Sequence, residues 1–341
     1  KLQTVISQQE SESKTVNSKG GAQTIPFDFS ADEYDENRHF FLAHYFRDRY
    51  DRNMAQLPNI LSGVKINRVE VWVTNKRGNY ENPRNIVAFT DLGESQVYIS
   101  KGAPWIAISK DTLPPANGDN NLYQQMTSTY SAARNISAVN SVIGDIDGME
   151  SGMNYEKIET ARLLTSSEYT VNTTLGYISL KQTLQSDEVL AVAFDYTING
   201  KTYQVGEFSS DIKETSDCLF FVKSLKNPSN TPQQGNWDLM MKNVYSLNAY
   251  QVQKEKFTLN ITYLSDTTGV YLRYIPEGKI NKIPLLKVMN LDRLNSKNQL
   301  GGDGFFDFVE GYTVNAQNGR IFFPVVEPFG SYLEKKFDNP N

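Results

Sequence analysis

The chain of 341 residues carries 34 lysines and arginines against 39 aspartates and glutamates, a formal net charge of −5 at pH 7. Because it contains no basic tract that could neutralise phosphates, nucleic acid is not expected as a partner. The hydrophobic fraction of 39% is enough for a packed core, and the length is typical of two or three domains.

The first 25 residues are polar and predict the end of a strand followed by a flexible linker. The chain begins with Lys1, and no charged-then-apolar leader follows, which indicates either a removed signal or an excised piece. No run of about 18 apolar residues occurs, so a transmembrane helix is not predicted.

An amphipathic helix is predicted from about residue 32 to 53. Ser30 and Glu33 have the spacing of a capping box, and aromatic residues then recur at helical intervals. His39 and His44 are five residues apart, which is not the i, i+4 spacing of a zinc-binding helix. We interpret both as surface or boundary residues of this helix.

Two strands are predicted next. Residues 64–75 alternate between apolar and polar side chains, which places Trp72 on the opposite face from Val71. A turn is expected at 76–78. The short apolar run 85–92 is typical of a strand that is buried on both faces.

The segment between residues 101 and 154 is the least regular. Pro114 to Gly118 marks a loop, and apolar residues from Leu122 to Val139 predict an amphipathic helix. Asp145 begins a DIDG sequence that resembles part of a calcium-binding loop. Its glycine is at position 4 instead of 6, so a simple turn is the preferred interpretation.

The clearest hairpin lies within residues 188–208. Val189, Ala191 and Ala193 face one side of the first strand, and the residues between them face the other. Asn199-Gly200 predicts a type I′ turn, which needs positive φ at both central positions.

A similar phrase occurs twice, as YTVNTTLGYI at 169–178 and YTVNAQNGRI at 312–321. Both predict β-hairpins, with a type I′ turn at Asn318-Gly319 in the second copy. Two copies are too few for a solenoid. They indicate either two related β-modules or two independent hairpins with similar turn chemistry.

Between these copies, residues 237–247 predict a helix and residues 257–264 a strand. Met240 and Met241 lie in the apolar stripe of that helix. Core packing is the preferred interpretation, and an adaptable partner surface is the alternative. Cys218, the single cysteine, excludes an intrachain disulfide and is expected to be a buried small hydrophobe.

These elements predict a mainly β fold with a few α-helices, of the α+β class, with antiparallel hairpin-rich modules in two or three subdomains. The predicted divisions are 1–25 (strand end and linker), 26–110 (helix plus strands), 111–215 (irregular and helical segment, then hairpin) and 216–341 (helix and second hairpin).

No motif of catalysis or cofactor binding is present: the sequence lacks GxSxG, a P-loop, GxGxxG and HExxH. We therefore assign no catalytic, cofactor-binding or metal residue. One region remains open. Asp292, Asn295, Asp303 and Asp307 could supply oxygen ligands to Ca²⁺, or they could cap the loop through Asx turns.

Several long phrases together resemble one family. They are ADEYDENRHFFLAHYFRDRYD, NRVEVWVTN, NIVAFTDLGE, EYTVNTTLGYISL, DEVLAVAFDYTINGKTYQVGEFSSD, WDLMMKNVYSL and GRIFFPVVEPFG. Spread over about residues 30 to 334, they resemble the SprA/Sov family, the giant outer-membrane proteins of the type IX secretion system and gliding motility in Bacteroidetes-type bacteria.

The resemblance implies a non-catalytic role. Members of that family form a very large transmembrane β-barrel through which folded cargo leaves the cell, with a PorV-type barrel partner and a plug. They are several times longer than 341 residues, so the chain resembles a soluble piece of such a protein. We expect a domain at the barrel mouth, on the extracellular side of the outer membrane, with periplasmic or lumenal placement as the alternative. No cofactor or small-molecule substrate is implied.

What carries over from the family is architectural. Gly176, Gly200 and Gly319 are expected to set turns, and Trp72 and Trp237 to pack cores or interfaces. Two other functions remain as alternatives: a β-rich surface module that binds proteins or glycans, which a row of exposed aromatics on one sheet face would favour, and a hydrolase with paired carboxylates.

Overall fold

The computed structural model describes residues 4–5, 26–76, 78, 82–98, 105, 112–212, 218–228, 231–232, 235–255 and 257–338, with the backbone alone at 4–5. Strands make up 27% of it and helices 15%, which confirms the predicted mainly β class. The predicted linker, apart from a short strand at Thr4–Val5, lies outside the described residues, as does the centre of the predicted turn at 76–78.

The strands are, in chain order, β1 Thr4–Val5, β2 His39–Phe41, β3 Val64–Val73, β4 Arg84–Phe89, β5 Tyr155–Leu163, β6 Tyr169–Asn172, β7 Tyr177–Leu180, β8 Leu190–Ile198, β9 Lys201–Val205, β10 Phe220–Lys226, β11 Val244–Ser246, β12 Thr262–Leu264, β13 Tyr271–Leu272, β14 Val314–Asn315 and β15 Arg320–Phe322. The α-helices are α1 His44–Met54, α2 Leu122–Thr127, α3 Val139–Gly144, α4 Leu285–Val288 and α5 Ser331–Asp338. Two 3-10 helices occupy Ser131–Arg134 and Gly235–Leu239.

The chain forms two compact units. The first unit comprises residues 1–35, 50–60 and 242–341, and the second unit comprises residues 36–49 and 61–241. In the described part of the chain, no helix is both long and apolar enough to cross a membrane.

The second unit is built around a sheet that closes on itself. Its strand order is β10-β4-β5-β3-β8-β9, and β10 also pairs with β8. This closure is possible because β8 divides one edge between two partners: Leu190 to Val192 pair with β10, and Phe194 to Ile198 pair with β9. Strands β10 and β4 run parallel, and the other pairs are antiparallel.

Large and small side chains alternate in the interior of this closed sheet. Trp72 meets Phe220 edge to face at a centroid distance of 5.4 Å. Alanines at 191 and 193 leave room for these rings, and all four residues are at most 1% exposed. Trp72 therefore points into the interior of the closed sheet, which is small enough to be filled by side chains. This confirms its predicted orientation, opposite to Val71.

A helical layer covers part of the outer face of the closed sheet. Leu122, Met126 and Val139 pack in one cluster with Phe89 and Phe221 of the strands. The apolar positions were therefore predicted correctly, but the single long helix was wrong: α2, a 3-10 helix and α3 replace it.

Two side chains at the end of α2 explain this break. The hydroxyl of Thr127 donates to the carbonyl of Tyr123 (2.8 Å), and that of Ser128 donates to Gln124 (2.6 Å). Such bonds back to the preceding turn compete with continuation of a helix.

A three-stranded sheet, β2-β7-β6, also belongs to the second unit. It corrects the helix predicted from 32 to 53, because residues 39–41 form a strand and α1 begins only at His44. The backbone amide of Ser30 does donate to the Glu33 carboxylate (2.7 Å), but a turn follows this bond. Pairing of Phe40 with Ile178, both fully buried, outweighs the local helical pattern.

The first unit contains a sheet of the same plan, β11-β15-β14. In each sheet the central strand, β7 or β15, is the second strand of a hairpin. On one side it pairs with the first strand of that hairpin, and on the other side it pairs with a strand from earlier in the chain, β2 or β11. The registers agree, since Asn172 pairs with Tyr177 and Asn315 pairs with Arg320. Each pair closes a four-residue loop that ends in glycine.

The third strand of each sheet agrees as well. After β2, the Leu42 amide donates to the Gly176 carbonyl (3.0 Å), and after β11 the Leu247 amide donates to the Gly319 carbonyl (2.8 Å). Agreement over three strands favours two related modules over two independent hairpins.

The turn predicted at Asn318-Gly319 is not type I′. Of these two residues only Gly319 has positive φ (60°), and the four residues 316–319 form the loop. At Asn199-Gly200, by contrast, φ is 50° and 78°, as a type I′ turn requires.

The core of the first unit is one apolar cluster that includes Tyr245, Leu291, Ile321 and Phe323. The helix predicted over 237–247 is wrong: a 3-10 helix ends at Leu239, and β11 then pairs with β15. Of the strand predicted over 257–264, only the last three residues are β12, which lies between β1 and β13.

Candidate functional site: a buried ionic cluster

Four ionisable side chains meet inside the second unit, and we call them the ionic cluster: His44, Asp91, Glu94 and Lys223. His44 is the first residue of α1, Asp91 and Glu94 lie in the turn after β4, and Lys223 lies in the middle of β10. Each is at most 2% exposed. Buried charges of this kind need partners, because isolated they would lose their hydration without compensation.

Glu94 is the centre of the cluster. Its Oε1 atom accepts from Lys223 Nζ (2.8 Å) and from both Nδ1 (3.0 Å) and the backbone amide (3.1 Å) of His44. The other ring nitrogen of His44, Nε2, lies 2.8 Å from the carbonyl oxygen of Gly235. Both ring nitrogens thus face acceptors, an arrangement that suits the doubly protonated imidazolium.

The Tyr98 ring lies flat against this imidazole, with centroids 3.5 Å apart and planes 3° apart. The backbone at Gly235 packs closely against Tyr98. A Cβ atom at this position would lie 2.4 Å from the Tyr98 carbonyl oxygen, so only glycine permits the close approach.

Asp91 is held by neutral donors. Its Oδ2 atom accepts from the Trp105 indole (3.1 Å) and from the Tyr98 amide (3.2 Å). The Asn120 amide group donates to the carbonyls of Asp91 and Glu94, both at 2.8 Å, and so braces the turn that carries both acids.

The two acids differ in acidity. Burial raises the pKa of Glu94, but the charges of Lys223 and His44 outweigh it and lower the pKa to about 2. Burial raises the pKa of Asp91 to about 6, against the opposing charge of Lys223. Glu94 is therefore the constant anion of the cluster, and Asp91 is the group that titrates closer to neutral pH.

The cluster fastens chain segments together. Lys223 also donates to the Thr90 carbonyl (3.0 Å), so it binds the turn after β4 through backbone and side chain at once. All four ionisable side chains are enclosed, so they offer no surface to a substrate. The arrangement suits a structural brace for α1, β4 and β10.

Comparison with known proteins gives one family. The family model SprA_N, described as "Motility related/secretion protein", matches residues 2–81. The match supports membership of the chain in the SprA/Sov family. This confirms the resemblance predicted from the sequence. No curated protein matches the chain significantly.

Both histidines of the chain are core residues. His39 and His44 are 2% exposed, so their assignment to the surface or boundary of a helix is wrong. His39 is part of β2, and its Nδ1 atom lies 2.7 Å from the Ser179 hydroxyl.

The four residues considered for Ca²⁺ all accept backbone amides. Asp292 accepts from Gly304 (3.0 Å) and Asp303 accepts from Phe305 (3.2 Å).

Asp307 accepts from Arg293 (2.7 Å), Asn295 accepts from Lys297 (2.9 Å), and burial raises the pKa of Asp307 to about 6. The described part of the chain contains no group of three His, Cys, Asp or Glu placed to hold a metal. The geometry therefore favours loop capping.

The other residues singled out from the sequence have structural places. Gly176, Gly200 and Gly319 all adopt positive φ in turns. Met240 and Met241 are at most 1% exposed, in agreement with core packing.

Three further side chains complete this comparison. Trp72 is a core residue, Trp237 is half-buried, and Cys218 is half-buried where full burial was expected.

Sequence reasoning missed the ionic cluster because its members come from three separate segments. A signal was nevertheless present. Lys223 and Lys226 interrupt the apolar run LFFVKSLK, and a strand buried on both faces must supply partners for such residues. The Nζ atom of Lys226 donates to the backbone carbonyls of Ser186 and Glu188, each at 2.7 Å.

Proposed function

We propose that the chain is a non-catalytic domain of the outer-membrane translocon of type IX secretion, where it acts as a cap or gate at the barrel mouth for export of folded cargo. Its partners would be the rest of the same large barrel chain, a PorV-type barrel partner, the plug and the cargo. The observation that carries this proposal is the match of residues 2–81 to a motility and secretion family.

The buried ionic cluster supports a structural role. A general base must lie within hydrogen-bond reach of its substrate. The carboxylates of Glu94 and Asp91 instead accept hydrogen bonds from protein donors, and both residues are at most 1% exposed. The same enclosure counts against the hydrolase alternative, because this pair of carboxylates has no opening to a substrate.

The surface-binding alternative has less support. Among the described residues, the exposed large aromatics are Tyr250 (79%), Tyr271 (53%) and Phe305 (66%). They belong to a loop after β11, to the two-residue strand β13 and to a loop before β14. A glycan-binding row would require several of them side by side on one sheet face.

Side-specific labelling tests the placement. An epitope inserted after Gly118 suits this purpose, because Gly118 is exposed and a Cβ atom there would meet nothing within 4 Å. In intact cells that make the full-length protein, antibody binding without permeabilisation is expected. Protection of the epitope until the outer membrane is breached would contradict the extracellular cap.

A secretion assay tests the role itself. Full-length protein with Glu94→Gln, which removes the centre of the ionic cluster, should export less cargo than protein with Glu159→Gln, a change at a residue whose side chain is 61% exposed. Normal export despite a protease-sensitive second unit would show that this domain is dispensable for secretion.

A further inference from the structure

An apolar groove opens on the surface of the first unit, within residues 263–337. Its volume is about 370 Å³. Ile275 and Leu333 are each 3% exposed and form its floor. Three half-buried aromatic residues form its walls: Tyr263, Phe329 and Phe337.

The groove is fixed from behind by backbone contacts. Leu333 and Phe337 are four residues apart on α5 and therefore share a face. The Lys279 amide donates to the Phe337 carbonyl (3.0 Å), and a Cβ atom at Gly278 would lie 2.5 Å from the Phe337 ring. This wall is thus pressed against the chain at Gly278.

The opposite wall is fixed by aromatic packing. The Phe329 ring contacts Phe323 at a centroid distance of 5.4 Å and Tyr245 at 6.3 Å. Both of these residues belong to the buried core. A groove with rigid walls loses little conformational entropy when a side chain enters it.

The rim carries two negative charges. Glu277 and Glu334 line the groove and are exposed, and neither forms an ion pair with another described residue. An apolar side chain could fill the groove without regard to charge. Two unpaired carboxylates at its edge, however, add attraction for a cation and repel an acidic ligand.

We infer that this groove binds a bulky apolar side chain of a partner polypeptide, with a lysine or arginine next to it that meets Glu277 and Glu334. The apolar side chain displaces water from the aromatic walls, and this burial supplies most of the affinity. The basic neighbour supplies selectivity. This inference goes beyond the proposed function and holds whether or not the partner is secreted cargo.

A fluorine-labelled peptide tests the inference directly. The probe is a capped tetrapeptide, glycine, 4-fluorophenylalanine, lysine and glycine, titrated with the 341-residue chain and followed by fluorine NMR. Replacing its lysine by glutamate should weaken binding by about 1.5- to 5-fold, the range that exposed ion pairs give. An unlabelled peptide with alanine in place of the aromatic residue should fail to displace the fluorinated peptide.

Two charge variants locate the cationic contact. Glu277→Gln with Glu334→Gln should reduce the preference for lysine over glutamate in the peptide. The control Glu255→Gln changes another exposed glutamate of the first unit and should leave the preference intact. Equal affinity of the wild-type chain for the lysine and glutamate peptides would overturn the inference.

Gly330 offers a way to block the groove. It lines the groove, its φ is not positive, and the nearest atom to an added Cβ is Glu327 Cβ at 3.7 Å. Gly330→Phe should therefore fill the groove and prevent binding, whereas Gly330→Ser should permit it. Unchanged binding to Gly330→Phe, or no binding of the lysine peptide to the wild-type chain at millimolar concentration, would also refute the site.

Discussion

The ionic cluster leads to a sharp prediction about stability. Glu94→Gln removes a carboxylate that lies 2.8 Å from Lys223 Nζ and 3.0 Å from His44 Nδ1. At an effective dielectric constant of about 20, the Glu94–Lys223 attraction alone is roughly 6 kcal/mol before desolvation is subtracted. Removal of one partner from a buried pair costs about 3–5 kcal/mol, and we expect this loss in the free energy of unfolding of the second unit.

The chain provides both a reporter and a control. All three tryptophans, at positions 72, 105 and 237, lie in the second unit, so tryptophan fluorescence during urea unfolding follows that unit. The control is Glu159→Gln. Lys157 and Glu159 are also ion-paired at 2.7 Å, but the Glu159 side chain is 61% exposed, so its loss should cost less than about 1 kcal/mol.

The comparison therefore varies burial at nearly constant distance. The reasoning would fail if Glu94→Gln and Glu159→Gln changed the free energy of unfolding by similar amounts. A double variant supplies a second check. Lys223→Met in the Glu94→Gln background should cost less than it does alone, with a coupling of about 0.5–3 kcal/mol, because its charged partner is already gone.

Two further predictions concern a turn and pH. Gly176→Ala should destabilise the second unit by more than Gly200→Ala, as measured by urea unfolding. Both glycines have positive φ, which disfavours alanine. A Cβ atom at Gly176 would also lie 2.4 Å from the Phe46 ring, whereas one at Gly200 would meet nothing within 4 Å. Equal losses would mean that φ alone sets the cost. Glu94 should make the second unit less stable as pH falls from 4.5 towards about 2, because its pKa is lowered on folding and the unfolded state then binds more protons. Glu94→Gln should show a shallower acid loss in the same titration, and identical pH profiles would contradict this.

Local patterns predicted the elements whose own residues carry a strong signal. Strand β3 follows from the alternation of its residues, although its partner β8 lies 117 to 134 positions later. The β8–β9 hairpin follows from Asn199-Gly200, because two-residue turns fix register without help from the rest of the chain. The helix predicted around His39 failed because a distant pairing overrides the helical pattern of its residues. Its partner strand, β7, lies about 140 residues later, and no local pattern announces that pairing.

The same distinction applies to the candidate site. Asn295 and Asp303 bind amides within four residues of themselves, so loop capping was foreseeable from the sequence. Glu94 depends on Lys223, which is 129 positions away, and on His44, which is 50 positions away. The sequence showed which residues are ionisable, but it did not show that these residues contact one another in the folded chain.

The duplicated three-stranded module has a consequence for folding. A chain that presents two hairpins with the same register must sort its strands, since β2 could align on β15 as well as on β7. The central strands differ where such sorting would occur: Arg320 stands at the position of Tyr177. Its guanidinium binds Asp35 at 3.0 Å, with both side chains 11% exposed. If β15 took the place of β7, Arg320 would be buried without the Asp35 carboxylate, at a cost in free energy that favours the native pairing.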